Sequence, residues 1–507
     1  MNRREALRTI AGVATLAPIG VLTAEAKTPM GGASRLAGSL PRVSVHPGGH
    51  DLQLEDGRPF FWLGDTAWFV MHRATREEAS YYLQTRARQG YTVIQTMLLP
   101  ECNALREPSD WGELPFEGAD PAKPREAYFR RIDDFFREAA GLGLYVAVVA
   151  VWGDKLTAPW GDGPRIFTGA NLPGARQFGR WLGTRFGAHT NVIWLMGGDR
   201  PPRLGGHPDN WCEATAVQAG FPSNQDWTPI WRELASGLLE GTGGNALTSY
   251  HPQGGAATTS YYLHQEPWLH LNAMQSGHGG GHDQPVWDWV AHDRTLQPAK
   301  PTLDLEPNYE DHPYNPWPRW DPATGYFRDH DVRKQCWRSV LAGACGVTYG
   351  HHAVWQWAGN RHEVINHADR DWRDALWRPA ARQMQFLRHL VESRPFFART
   401  PDPALIVGDP GAGGLHLQAA RDQAGTYAFV YFPLNDEAAT IDLARLSAPQ
   451  LRVWWYDPRT GVGTLDGVIA GGGKRAFRSP AYGPDWVLVL DDASRDYPPP
   501  GLGSTAA

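Results

Sequence analysis

Up to Tyr349 the chain repeats one pattern, a short apolar run that ends in a polar or acidic tip. The runs are Phe60–Leu63, Tyr91–Leu99, Leu144–Trp152, Asn191–Met196, Ala246–Ser249, Leu269–Met274, Pro301–Leu305 and Cys345–Tyr349. Their lengths and their β-branched and aromatic content predict strands. Between most of them apolar residues recur at helical spacing. Arg76–Gln89 reads as a helix with Thr75 as N-cap and Gly90 as its stop, and Ala127–Ala140 repeats the pattern. Gly174–Phe186, Ile230–Leu239, Asp331–Ala344 and Arg373–Ser393 are further helices. Eight strand–helix units predict an α/β fold, a (β/α)8 TIM barrel, whose active site lies at the C-terminal strand ends. Asp51–Leu54 and Phe60–Leu63 flank Glu55-Asp56-Gly57-Arg58, a hairpin signal that leads into the first barrel strand. Two long connections, Pro201–Pro229 and Tyr309–Arg328, suit loops over the site.

Near Thr400 the texture changes to short alternating runs separated by Gly, Pro and Asp: Ala404–Val407, Leu415–Ala419, Tyr427–Phe432, Ala439–Leu443, Leu451–Tyr456 and Trp486–Leu490. These predict a C-terminal antiparallel β-sandwich. The expected organisation is an export signal at 1–26, a flexible leader at 27–42, the barrel at 43–398, the sandwich at 399–496 and a disordered tail at 497–507. The signal reading rests on Arg3-Arg4, the modest apolar stretch Ile10–Leu22 and the small-residue site Ala24-Glu25-Ala26, a Tat-type pattern with a Sec signal as alternative. A periplasmic or secreted protein is expected, with no membrane association once the signal is cleaved. The four cysteines (Cys102, Cys212, Cys336, Cys345) have no metal-type spacing. They read as buried free thiols.

At 507 residues the chain is long enough for two cores. A formal net charge of -6 argues against nucleic acid, which selects a basic surface. The 23 tryptophans change the picture more. Most belong to packing, but flat aromatic faces also cover the C–H faces of sugar rings, and Trp152, Trp355 and Trp357 stand at strand tips where this would matter.

Five carboxylates lie at or near strand ends: Asp65, Glu101, Asp154, Asp199 and Glu306. Hydrolysis of a glycosidic bond needs two carboxyl groups in different states, one protonated for the leaving oxygen and one ionised to attack carbon or activate water. Asp199 follows Gly197-Gly198, which lets the backbone turn sharply, and Glu306 ends the phrase Leu303-Asp304-Leu305-Glu306. Strands four and seven face each other across an eight-membered ring, so this pair is the expected catalytic one. The bland alternatives are an ion pair of Asp199 with Arg200 and a solvated charge at Glu306. Asp65 is expected to accept from a substrate hydroxyl with Trp68 beneath it, a helix N-cap being the alternative. Glu101 and Asp154 are second-choice acids or hydroxyl binders. His251, His278, His351 and His352 also cluster at strand ends. A metal-dependent amidohydrolase would need a His-x-His pair on the first strand, where this chain has Gly64-Asp65-Thr66, and the glycines of His278-Gly-Gly-Gly-His282 give no helix to hold two ligands. No metal or cofactor is expected, and the histidines read as hydrogen-bonding groups.

Several phrases together resemble glycoside hydrolase family 140: Phe60-Phe61-Trp62-Leu63-Gly64-Asp65-Thr66-Ala67-Trp68, Asn191–Arg200, Gln275-Ser276-Gly277-His278 and Glu306-Pro307-Asn308-Tyr309-Glu310. The resemblance runs from Val45 to Asp492. It implies apiosidase-like action on the pectic polysaccharide rhamnogalacturonan II, with a plant cell-wall carbohydrate as partner. It further implies Asp199 as acid/base, Glu306 as nucleophile and retention of configuration. Gly198-Asp199 departs from the Asn-Glu usual in related barrels, which leaves inversion open. Asp65, Gln95, Gln275, His278 and Tyr309 are expected around the sugar, with Trp68, Glu101, Trp152, Asp154, Arg200, His251, His351 and Trp355 completing the binding set. The same groups would serve an arabinofuranoside. A non-catalytic carbohydrate-binding surface protein is the competing class.

Overall fold

The computed structural model describes residues 38–502 except 102, 158–160, 206–213, 215–216, 219, 256–257, 279–281 and 315–318. The expected export signal and the thiols of Cys102 and Cys212 therefore lie outside the described residues. Cys336 and Cys345 are free and buried. Among the described residues no helix is long and apolar enough to cross a membrane.

All eight expected strands form, as β1 (Trp62–Thr66), β2 (Val93–Met97), β3 (Tyr145–Val149), β4 (Val192–Gly197), β5 (Thr248–His251), β6 (Asn272–Met274), β7 (Thr302–Asp304) and β8 (Gly346–Gly350). They make one parallel sheet in ring order, β8 pairing with β1. The remaining seam, β5 to β6, is bridged by the His270 N–H to the Thr248 carbonyl at 3.0 Å and by Ser249 Oγ to the Leu271 carbonyl at 2.9 Å. The strands are buried along their whole length, which explains their nearly unbroken apolar sequence.

The helices follow as α1 (Arg76–Arg88), α2 (Glu126–Gly141), α3 (Leu172–Phe186), α4 (Thr228–Gly241), α5 (Val286–Arg294), α6 (Asp329–Leu341) and α7 (Pro379–Glu392). Thr75 caps α1 in a full capping box with Glu78. The expected single helix Arg373–Ser393 is two, Trp372–Ala375 and α7, because Pro379 has no N–H to continue the first and fits the first turn of the second. The sequence pattern gave no sign of α5, a nine-residue helix with polar and Trp positions mixed. Leu52–Leu54 forms the expected hairpin across Glu55–Arg58, with the Leu54 N–H on the Arg58 carbonyl at 2.8 Å and the Phe60 N–H on the Leu52 carbonyl at 3.0 Å, and also pairs with Val43–Val45. The end of the expected flexible leader is tied down, since Tyr145 Oη donates to the Pro41 carbonyl at 2.6 Å.

The C-terminal domain has a six-stranded antiparallel sheet and a two-stranded one, Ala438–Asp442 with Lys474–Arg478. Val430, Phe432, Leu451, Val453, Trp455, Leu488 and Leu490 of the large sheet meet Ile441 and Phe477 of the small one in a core of their own. The expected strand Ala404–Val407 is instead a 3-10 turn from Pro403 to Leu405, with Leu405 still in the core. Tyr497, expected in a free tail, is held by Thr426 Oγ1 at 2.8 Å and by the Arg394 guanidinium over its ring.

The other face of the large sheet packs on α6 and α7. Arg333 on α6 and Asp485 before the last strand form a fully buried ion pair at 2.8 Å, and Tyr431 Oη donates to the same carboxylate at 3.0 Å. Arg394 and Asp491 make a second buried pair at 2.7 Å. The sandwich therefore supplies the carboxylate for Arg394 and a second one for Arg333, which also pairs with Asp329 on α6 at 2.6 Å. Arg333→Ala is expected to cost roughly 3–5 kcal/mol, the usual loss on breaking a buried pair. A chain ending at 398 is expected to be insoluble or to melt far below the full chain. Comparable thermal melts for the full and shortened chains would show that the two domains fold independently.

Candidate active site

The site lies at the C-terminal mouth of the barrel. Three successive residues beginning with the last of β4 have positive φ: Gly197 (84°), Gly198 (105°) and Asp199 (51°). The two glycines are required by close approach as well as by conformation. A Cβ on Gly197 would stand 2.2 Å from the His251 carbonyl oxygen, and one on Gly198 would stand 2.7 Å from the Trp152 ring. Asp199 is held in the left-handed region that non-glycine residues avoid, with its side chain turned into the mouth.

Glu306 lies two residues beyond β7, where strict strand alternation no longer fixes side-chain direction. Its Oε1 accepts from Gln275 Nε2 at 2.8 Å and faces His278 Nε2 at 3.1 Å. The Tyr309 N–H donates to His278 Nδ1, so the ring carries its proton on Nε2 and gives it to the carboxylate. His251 stands between the two acids, with Nε2 3.3 Å from Glu306 Oε2 and Nδ1 3.9 Å from Asp199 Oδ1. Its ring is fully buried, edge-on to Trp68 at 5.1 Å. One ligand atom each from Asp199, His251 and Glu306 lie within 4.8 Å of one another. That set has the donor types of a divalent-cation site as well as those of an acid pair.

The two acids differ in environment. The Asp199 side chain is 35% exposed and that of Glu306 only 5%. Burial pushes the Asp199 carboxyl up to about 6, and the neighbouring Glu306 charge adds to this against the pull of His251 and Arg200. For Glu306, burial is outweighed by hydrogen bonds from His251 and His278, which hold the carboxyl well below its ordinary range. Two carboxyls so close cannot both ionise freely, and the surroundings assign the proton to Asp199.

Several expected partners stand with them. Trp68 and Trp152 meet edge-to-face at 5.0 Å beneath the mouth. Trp152 Nε1 donates to Glu101 Oε2 at 3.1 Å. The Glu101 carboxyl is pushed up to about 7 by burial, offset in part by Arg200 and reinforced by Asp199 and Asp154. Gln95 points into the barrel and donates to the Leu305 carbonyl at 2.9 Å, supporting the backbone below Glu306. The buried Arg200 donates to the Asp199 carbonyl at 3.1 Å and so helps to close the loop.

Other expected partners do not reach the mouth. Asp65 falls on the outward-facing parity of β1. It is fully buried against α1, where it accepts from Arg86 Nε at 2.8 Å and from the Tyr82 hydroxyl. It is neither a sugar ligand nor a helix cap. Asp154 is taken by its neighbour Lys155 at 2.7 Å and by the Gly163 N–H at 3.1 Å. His351 binds Asp311 at 3.1 Å and caps a short helix through Ala353. His352 faces the Asn366 carbonyl at 2.8 Å and accepts from Trp355 Nε1 at 3.2 Å, with the half-buried Trp355 ring at the rim. Trp357 is buried and stacked on Trp372 at 4.0 Å, so no sugar meets it.

Sequence reasoning missed two supports. His312 stacks on His278 at 4.1 Å, and Asp304 accepts from Ser276 Oγ at 2.6 Å, tying the ends of β6 and β7 together. His312 lies in the rim loop singled out for length, but nothing local distinguishes it. Asp304 belongs to the same strand-end phrase as Glu306.

A barrel in which a carboxyl raised by its surroundings faces one held low, after β4 and β7, has the arrangement of a glycoside hydrolase. A structure described as a glycoside hydrolase family 5 protein from Bacteroides vulgatus ATCC 8482 is 28% identical with a TM-score of 0.76, covering 90% of this chain and 94% of its own. Another, described as "Glycoside hydrolase", is 29% identical with a TM-score of 0.76 and covers 92% of this chain and 100% of its own. No curated protein matches the chain. The family model "Apiosidase-like, catalytic domain" matches residues 46–398, and the chain belongs to that family. Residues 400–491 match a second family, described as "Putative collagen-binding domain of a collagenase".

Proposed function

We propose that the protein is an exported retaining glycosidase of glycoside hydrolase family 140, which removes an apiose-linked side chain from rhamnogalacturonan II. The observation that carries the mechanism is the acid pair. An oxygen of Asp199 and one of Glu306 lie within 4.8 Å. This agrees with the spacing of about 5–5.5 Å between carboxyl groups in retaining enzymes rather than the 6.5–9.5 Å that leaves room for a water. Glu306, ionised and oriented by Gln275, His278 and His251, attacks the anomeric carbon. Asp199, protonated and open to the mouth, gives its proton to the leaving oxygen. The same Asp199 then takes a proton from the water that cleaves the glycosyl–Glu306 ester. Trp68 and Trp152 form the apolar floor, Glu101 supplies a hydroxyl partner at its edge, and the buried Tyr309 hydroxyl lies against Glu306 and Thr66.

The apiose reading is supported by the family match over residues 46–398. The test incubates the mature protein and its Glu306→Gln variant with rhamnogalacturonan II oligosaccharides, with and without EDTA, and reads products by mass spectrometry. Loss of the apiose-linked side chain with wild type alone, unchanged by EDTA, is expected. Turnover of arabinofuranosides but not of these oligosaccharides would move the substrate and keep the mechanism. Activity abolished by EDTA and restored by a divalent cation would replace the acid-pair chemistry with metal chemistry at Asp199, His251 and Glu306.

A further inference from the structure

The loop leaving β6 carries both donors to Glu306 Oε1, and its far stem is gripped from two sides. Asp283 on that stem accepts from Arg338 Nη1 at 2.7 Å and pairs with Lys334 Nζ at 3.0 Å, both on α6. Arg338 is fully buried, and its other donors leave the barrel. Nε bonds the His416 carbonyl at 3.0 Å and Nη2 the Gly414 carbonyl at 2.9 Å, both in the sandwich. The His416 ring stacks on Trp287, in the first turn of α5, with centroids 3.7 Å apart. From the other side, Asn308 donates to the His282 carbonyl at 3.0 Å. The stem is thus fixed between a residue two places after Glu306 and a loop of the other domain.

We propose that the sandwich loop 411–416, acting through Arg338 and Asp283, is a positioning element of the active site that sets the pose of Gln275 and His278 on Glu306. The inference rests on Glu306 as the nucleophile. A guanidinium is suited to this role because its planar fork serves one carboxylate and two carbonyls at once. None of these residues reaches the mouth. Their effect passes through the loop, and catalytic geometry is sensitive to such effects, since a displacement of about 1 Å can cost on the order of 100-fold in rate.

Arg338→Lys is the discriminating variant, because an ammonium can keep the pair with Asp283 but cannot also hold both sandwich carbonyls. His416→Ala, which keeps the carbonyl that Arg338 binds but removes the ring's stack on Trp287 and its bonds to the Gly411 carbonyl and Gln418 Oε1, is a companion if the first folds poorly. The expected result for Arg338→Lys is a kcat lower by about 10- to 100-fold with KM within about twofold. Hydrogen exchange measured by mass spectrometry on the full chain should rise in peptides covering 272–290 and stay unchanged in β2, β3 and β4. Wild-type kcat together with wild-type exchange in 272–290 would overturn the proposal. So would a general rise in exchange across the barrel with kcat unaltered, which marks a purely structural role. If the wild type cleaves no glycoside, a rise confined to 272–290 keeps the coupling and removes the glycosidase reading instead.

Discussion

Glu306→Gln is expected to give a folded protein whose kcat is lower by at least roughly 10³-fold, because a group that forms a covalent intermediate has no substitute in the site. The change is nearly isosteric. The amide oxygen can still accept from Gln275 and His278, so the loop after β6 keeps its anchor. Replacing a buried anion with a neutral amide also removes the desolvation cost that the two histidines now offset. The circular dichroism spectrum and melting temperature should therefore stay close to wild type while turnover disappears. Product stereochemistry from the wild type, followed by NMR before mutarotation, should show retention. An inverted product would mean that Glu306 activates water instead, and the loss in the Gln variant would then be that of a general base, about 10²–10⁴-fold.

Much of the barrel was legible because its strands are buried on both faces and so are written as apolar runs, each with a functional tip. Asp199 and Glu306 could be picked out for the same reason, since the ring order of eight strands turns their sequence positions into opposite sides of one cavity. What could not be read was side-chain direction within a strand. Asp65 is one residue from Thr66, which points into the barrel toward Gln95, yet that single step sends its carboxylate outward to Arg86. Asp154 and His351 were misplaced for a related reason. Each sits just past a strand, where a neighbouring cation or acid decides whether it faces the mouth. The contacts from Arg338 to the sandwich use backbone carbonyls, which leave no mark in sequence.

Asp199→Asn should separate substrates by leaving group. The acid is needed in proportion to how poorly the leaving oxygen departs, so a natural alkyl glycoside should lose about 10²–10⁴-fold in kcat/KM. A 4-nitrophenyl glycoside, whose leaving group needs little protonation, should lose far less in the same step. The pH profile carries the second half of the argument. Burial and the Glu306 charge raise the Asp199 carboxyl to about 6, and it acts in its protonated form. Wild-type kcat/KM should therefore fall as pH rises through about 6, and the Asn variant, with no proton to lose, should lack that descending limb. Equal losses on both substrates with the limb intact would take the acid role from Asp199. Glu101 would then be the group to replace, since its carboxyl is raised to about 7 beside the same mouth and Trp152 Nε1 occupies only one of its oxygens. In that case Glu101→Gln, rather than Asp199→Asn, should erase the limb and spare the activated glycoside.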